Sequence, residues 1–374
     1  MEANNSGKGF KRRLTDPDWC SIPSSSNTSE NGYLDEQLSY SHHEIKPCTS
    51  EWTRGTLQNL SITPILDEIH SPYELIDMAF SESYLMLLDP KIDERVSQCR
   101  ERIMCRSPLQ RIDIDDIEKL NKNVSYNLLF EIGEGMNYMK VNEWDVAPTW
   151  NVIDIIEDRL FHVYGESFTE RLIDIFIILK SGDKNVSEHR YQALFQSFIG
   201  ALGLSTFGDP DVIGREILIG DVQVNSVPNI VFPCFGHSDE SMKIMAVCKV
   251  KKNFNGHEEF SSAAKRRRVQ TVNHLDDNLI GQHGGELLTH FKMSQNLHGL
   301  LGFVVQKTWV TFTYLRFTKK QYEKIVSGDE SSKESCPEIY YSRPYNYLSI
   351  GDRNEILGPL LKLGFIQSTP ISNH

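Results

Sequence analysis

The spacing of apolar and polar positions divides the chain into three textures. Residues 1 to about 60 are rich in Ser, Asn and Glu, include Ser24-Ser25-Ser26, and carry few aliphatic side chains. So little apolar surface cannot offset the entropy of ordering a chain, and this stretch is expected to be a disordered tail. From 61 to 185 apolar residues recur at helical spacing. Tyr73, Leu75, Ile76, Met78 and Ala79 form one such face, and Tyr84, Leu85, Leu87 and Leu88 form another that stops near Pro90. Val152, Ile153, Ile155, Ile156 and Leu160, then Leu172, Ile173, Ile175, Phe176 and Leu179, continue the pattern, so a mainly helical region is expected here.

After Gly182-Asp183 the pattern alternates between helical and extended. A helix is predicted over about 186–203, opened by Ser187, with Arg190 three residues on where a full capping box has Glu or Gln. Extended runs follow at Glu216 to Val224, Pro228 to Phe232 and Lys243 to Lys251. A polar, flexible insertion covers 252–273, and a second helix covers about 275–293. Gly299 to Val305 and Trp309 to Phe317 read as a hairpin closed at Gln306-Lys307-Thr308. A Ser/Glu-rich loop (Ser327 to Ser335), a short extended piece and a helix from about Arg353 to Leu363 complete the chain. This order predicts an α/β domain with a mixed sheet over 186–374. Internal repeats are not evident.

Composition narrows the function classes. Of 374 residues, 39% are hydrophobic, enough to fill a sizeable core. The 51 acidic and 39 basic side chains leave a formal charge of -12, which argues against coating nucleic acid through bulk positive charge. A local basic patch is still compatible with that balance. With no apolar run of about 18 residues, no membrane partner is expected. The opening MEANNSGKGFKRRL lacks the apolar segment of a secretion signal. Cys20, Cys48, Cys99, Cys105, Cys234, Cys248 and Cys336 form no CxxC pair, so they read as reduced thiols of the cytosol or nucleus. Phosphate-binding glycine motifs are missing, and Phe130-Glu-Ile-Gly-Glu-Gly-Met136 reads as a turn. His283 and His290, seven residues apart, read as packing or surface residues; Trp309, Phe312 and Tyr314 read as core.

One constellation carries chemistry. On the first helix of the alternating part, Tyr191, Leu194, Phe195, Phe198, Ile199 and Leu202 share one arc, and Glu188 falls inside it. A carboxylate on an apolar stripe must be paired, solvated by a cleft or neutralised. Alternatively, it sits in the first turn, where the helix dipole favours it and its tip reaches water. Asn229 follows Pro228 at the start of an extended run. On the next run Lys249 and Lys251 share a face with Met245 and Val247, opposite Ile244, Ala246, Cys248 and Val250. The two lysines mark either a polar site on a buried strand or that strand's solvent end.

This succession resembles the PD-(D/E)XK, restriction-endonuclease-like nuclease superfamily. That family has a helix carrying Glu, a strand reading Pro-Asp, a strand reading Glu-x-Lys, and a second helix with a Gln-rich face. The matching positions are Glu188, Pro228-Asn229-Ile230, Lys249-Val250-Lys251, and Gln282 with Glu286 one turn apart. GLLGFVVQKTWVTFTYLRF is similar to the strand pair that closes many members. The resemblance, spanning roughly 186–320, implies a restriction-endonuclease-like mixed sheet flanked by helices.

It also implies a Mg²⁺ site in which the Asp and Glu are ligands and the Lys helps to activate water. Here those ligands are Asn229 and Lys249, and the charge of the four positions is +1 in place of -2. An ammonium about 5 Å from a divalent ion repels it by roughly 7 kcal/mol at an effective dielectric near 20. No cofactor or metal is therefore expected, Mg²⁺ entering only if an acidic site has moved to Asp221, Asp239 or Glu240. Shifting the register so that Cys248 and Val250 fill the positions makes the site worse.

The expected function is that of a catalytically inactive nuclease-fold protein that binds DNA, RNA or protein partners in the nucleus. An active Mg-dependent nuclease and a pure protein-interaction scaffold remain open, with the cytoplasm as the alternative location. Lysines in a cleft would hold phosphate without metal. Lys11-Arg12-Arg13 and Lys265-Arg266-Arg267-Arg268 read as solvated charge, nucleic-acid patches or, for the second run, a nuclear-import signal.

Overall fold

A computed structural model describes residues 45–80, 91–106, 112–117, 167–182, 185–208, 211–212, 214–234, 242–254, 274–328 and 336–368. All of these fall in one unit of the chain, residues 41–374. Its elements, in order, are α1 (Arg54–Asn59), β1 (Thr63–His70), α2 (Pro72–Phe80), α3 (Ile92–Arg106) and helical residues 167–180 (α4). Then come α5 (Glu188–Gly200), β2 (Phe207–Gly208), β3 (Arg215–Ile219), β4 (Val222–Ser226), β5 (Ile230–Pro233) and β6 (Ile244–Lys251). The last are α6 (Asp277–His290), β7 (Gly299–Gln306), β8 (Trp309–Arg316), α7 (Lys319–Ser327), β9 (Glu338–Ser342), β10 (Tyr345–Asn346) and α8 (Ile350–Ser368).

The expected α/β class with a mixed sheet is what the chain adopts. Eight strands run in the order β1-β9-β8-β7-β6-β5-β2, with β10 against β8. β6 is parallel to β7 and β1 to β9, and the remaining pairs are antiparallel. The parallel β6–β7 pair needs a crossover, which α6 supplies. Alternation along the central strands sends Leu301, Phe303 and Val305 to one core and Leu300 and Val304 to the other. The first core also takes side chains from α2, α3, α4, α5 and α8, the second from α1, α6 and the separate β3–β4 hairpin.

Several boundaries differ from the sequence reading. Residues 45–60, expected within the tail, are structured: Thr49–Glu51 make one 3-10 turn, α1 follows, and Trp52 and Leu57 are fully buried. The segment has few aliphatics, but it lies against a helix face made of glycines. A Cβ on Gly281 would come within 2.2 Å of the Thr53 backbone, and one on Gly285 within 2.8 Å of Trp52. Large residues on one partner meet a flat face on the other.

The described residues of 61–185 are mainly helical, as expected, and they pack into the sheet and cores of the rest of the chain. Thr63–His70 is an edge strand of the main sheet, and α2, α3 and α4 share the first core with it. The single extended run expected over Glu216 to Val224 is a hairpin that turns at Gly220-Asp221, where Gly220 has φ 59°. The last helix is longer than expected and contains Pro359. Its Lys362 ammonium ties it to Asp77 of α2 at 3.0 Å and Asp93 of α3 at 3.3 Å. Residues 1–44, 81–90, 118–166 and 255–273 lie outside the described residues, and with them Lys11-Arg12-Arg13, Tyr84 to Leu88, Val152 to Leu160 and Lys265 to Arg268. Phe254, at the start of the insertion, is buried and stacks on Trp309 with centroids 4.8 Å apart.

The glycine face is directly testable. Gly281→Ala must displace backbone, so its unfolding free energy in urea should fall by about 3 kcal/mol. Gly351→Ala, where nothing lies within 4 Å, should change it by less than about 1 kcal/mol.

Candidate functional site

The N-terminal part of α5, the residue before β5 and the end of β6 are in contact. Asn229 precedes β5, and its side-chain oxygen accepts from the Val250 N–H at 2.9 Å while its own N–H donates to the Cys248 carbonyl at 3.1 Å. Asn229 therefore extends the pairing of β5 with β6, and its oxygen is committed to backbone. Gln192, one turn after Glu188 on α5, donates from Nε2 to the Asn229 carbonyl at 3.1 Å. Sequence reasoning missed Gln192; a polar residue on an otherwise apolar stripe was the available signal.

Glu188 reaches Lys251, with Oε1 3.9 Å from Nζ, and both side chains are about one-third exposed. This satisfies both open readings of Glu188, since it is in the first turn and also paired. Its neighbour Lys252 donates to Asn185 Oδ1 at 3.1 Å, so this corner of β6 is polar and solvated.

Lys249 behaves differently. It is only 7% exposed, and its Nζ lies 2.9 Å from Oε1 of Glu286, which is 1% exposed. The contact is an ion pair without hydrogen-bonding angles: neither Glu286 oxygen has a hydrogen bond. His283, a turn earlier on α6, places Nδ1 3.9 Å from Glu286 Oε2 and makes no hydrogen bond from that nitrogen. Its Nε2 shares a 2.8 Å hydrogen bond with Thr313 Oγ1 on β8. Gly302 of β7 makes room, for a Cβ there would lie 2.6 Å from His283 Nε2. His283, read from sequence as a packing or surface residue, is wholly buried beside a carboxylate. Gln282, the other expected second-helix residue, is also buried.

The face expected to hold Met245 and Val247 with the lysines is broken. Pairing of β5 with β6 shifts between Phe232 and Pro233, so Met245 packs with Ala246, Cys248 and Val250, while Ile244 joins Val247. A bulge of this kind reverses the alternation locally. Burial raises the Cys248 thiol well above the usual range; Glu286 raises it further and Lys249 opposes. That holds the sulfur protonated and rules it out as a thiolate nucleophile.

Adding Glu286 to Glu188, Asn229, Lys249 and Lys251 brings the formal charge from +1 to zero. Mg²⁺ fits these residues poorly. It prefers free carboxylate oxygens, whereas each carboxylate here already faces an ammonium and the Asn229 oxygen is taken. Among the described residues, no three His, Cys, Asp or Glu side chains group as a metal site. Asp221 lies at the β3–β4 turn, and Asp239 and Glu240 lie outside the described residues. No helix among the described residues is long and apolar enough to cross a membrane. No family model, curated protein or solved structure matches this chain.

The two ion pairs should separate in mutagenesis. Glu286→Ala strands a buried ammonium and should lower unfolding free energy by about 3–5 kcal/mol. Glu188→Ala, acting on a partly solvated pair, should cost less than about 1 kcal/mol; chemical denaturation compares them.

His274, buried with Nε2 2.7 Å from Thr311 Oγ1, is held down to about 3 by burial, and burial lowers His290 as well. Such an imidazole stays neutral in the folded chain but takes a proton in the unfolded one below about pH 6.5. Folding stability should therefore fall as pH drops from 7 to 5, His274 supplying about 2 kcal/mol of the loss. His274→Gln should flatten that part of the urea-melt pH profile.

Proposed function

We propose that this chain is a catalytically inactive nuclease-fold protein that acts by binding, and that its partners are proteins. What supports the fold reading is the succession α5, β5, β6, α6, β7, β8. On this reading Glu188, Asn229, Lys249, Lys251 and Glu286 correspond to the site positions of the restriction-endonuclease-like pattern, and the contacts Lys249–Glu286, Lys251–Glu188 and Asn229–Val250 support it. Two separate ion pairs, one from β6 to α6 and one from β6 to α5, join these positions, and Asn229 bonds to the β6 backbone between them.

The Lys249–Glu286 pair carries the inactive reading. A metal-assisted hydrolase needs oxygen ligands free to bind its cation and polarise phosphate. Here the strand offers an ammonium, and the second helix spends its carboxylate on that ammonium. The same pair argues against phosphate capture, since Lys249 is buried and neutralised while Lys251 faces Glu188. With these five positions neutral in sum and the whole chain at -12, a protein partner suits the charge better than a polyanion. A nuclear place of action rests on Lys265 to Arg268 as an import signal.

Incubating the full chain with Mg²⁺ or Mn²⁺ and single- or double-stranded DNA or RNA should give no cleavage. Gel-shift and anisotropy measurements at low salt should give no affinity that Lys249→Ala plus Lys251→Ala abolishes. Cleavage lost in Glu188→Ala or Glu286→Ala would establish an active nuclease instead. Salt-sensitive binding lost with the two lysines would establish a nucleic-acid binder.

A further inference from the structure

Glu286 is 1% exposed, neither oxygen is hydrogen-bonded, and His283 Nδ1, also without a hydrogen bond, sits 3.9 Å from Oε2. To stay ionised, a buried carboxylate in that condition requires a cation beside it. Carboxylate and imidazole together, one turn apart on α6, form half of a ligand set suited to first-row transition ions. The Lys249 ammonium, 2.9 Å from Oε1, occupies that cation position.

We propose that Lys249 is a tethered counter-cation: its ammonium fills a latent transition-metal site formed by Glu286 and His283 and keeps that site closed to free ions. The strand carries the positive charge covalently, so folding alone loads the site, whatever the metal concentration. Removing the ammonium leaves a side-chain-sized space beside an uncompensated carboxylate and a vacant imidazole nitrogen. A divalent ion can enter that space with part of its water shell. Lys249→Glu goes further, supplying a second carboxylate from the strand.

This inference rests on the inactive reading of the site, but its test uses neither nucleic acid nor a protein partner. Co²⁺ is the probe, because its visible absorption reports coordination directly. The wild-type chain in millimolar Co²⁺ is expected to show the spectrum of the hexa-aqua ion and an unchanged melting temperature. Lys249→Ala and Lys249→Glu are expected to develop new absorption bands and to melt roughly 5 °C higher at 100-fold excess over Kd. Adding Glu286→Gln or His283→Phe should remove both signals.

Uptake of Co²⁺ by the wild type in a Glu286-dependent way overturns the proposal, as do folded Lys249 variants that bind none. If the single variants fail to fold, Lys249→Met with Glu286→Gln decides. The neutral pair should melt near the wild type, whereas Lys249→Met alone melts well below it. Equal melting of the Lys249→Met single variant and the wild type overturns the proposal. Nuclease activity in the cleavage assays, with these spectra as expected, would instead overturn only the function reading.

Discussion

A carboxylate and an ammonium taken out of water must face each other or both become liabilities. The Lys249–Glu286 pair does this between the sheet and the helix that crosses over it. Desolvating two charges costs several kcal/mol per ion, and their attraction at close range offsets that cost without much surplus. The pair therefore adds little to overall stability but strongly penalises alternatives. A one-residue slip of β6 would turn Lys249 to the opposite core and leave Glu286 without its cation. Register of the central strand and seating of α6 are thus linked through one contact.

Other elements conform to that seating. His283 requires Gly302 beneath it and Thr313 beside it, which fixes α6 over β7 and β8. The three glycines Gly281, Gly284 and Gly285 bring the opposite side of α6 against Thr49 to Leu57. Asn229 continues the antiparallel pairing at the mouth of β5, and the partly solvated Glu188–Lys251 pair lies at the end of β6. The arrangement contains a nearly dry ion pair and a wet one only two strand residues apart, with different energetic weights.

The order of α5, the β5–β6 pair, α6 and the β7–β8 hairpin was legible in the sequence because each has a period and a punctuating residue: Ser187, Pro228, the polar run before α6, and Gln306-Lys307-Thr308. Lys249 and Lys251 stood out because lysine is rare on an apolar strand. Their partners were not legible. Lys249 keeps the face that alternation gives it, with Val247, but that this face meets Glu286 and not solvent depends on the seating of a helix distant in sequence. Residues 45–60 were missed for a related reason: their apolar content is low in isolation, and only the flat glycine face of α6 makes it sufficient. β1 was read as part of a helical stretch because Pro64 to Ile69 pair irregularly with β9, so no clean alternation marks the strand.

The parallel pairing of β1 with β9, and the fit of Thr49 to Leu57 on α6, impose an order in time as well as in space. On the ribosome, the segment bearing Trp52 and β1 emerges early but has nothing to close against until α6 and then β9 have been made. Long-range pairings of this kind close late, because loop entropy opposes them until both partners exist. The earliest of the described residues are therefore among the last to dock. For most of synthesis, Trp52, Leu57 and the edge of β1 are exposed apolar surface in need of protection.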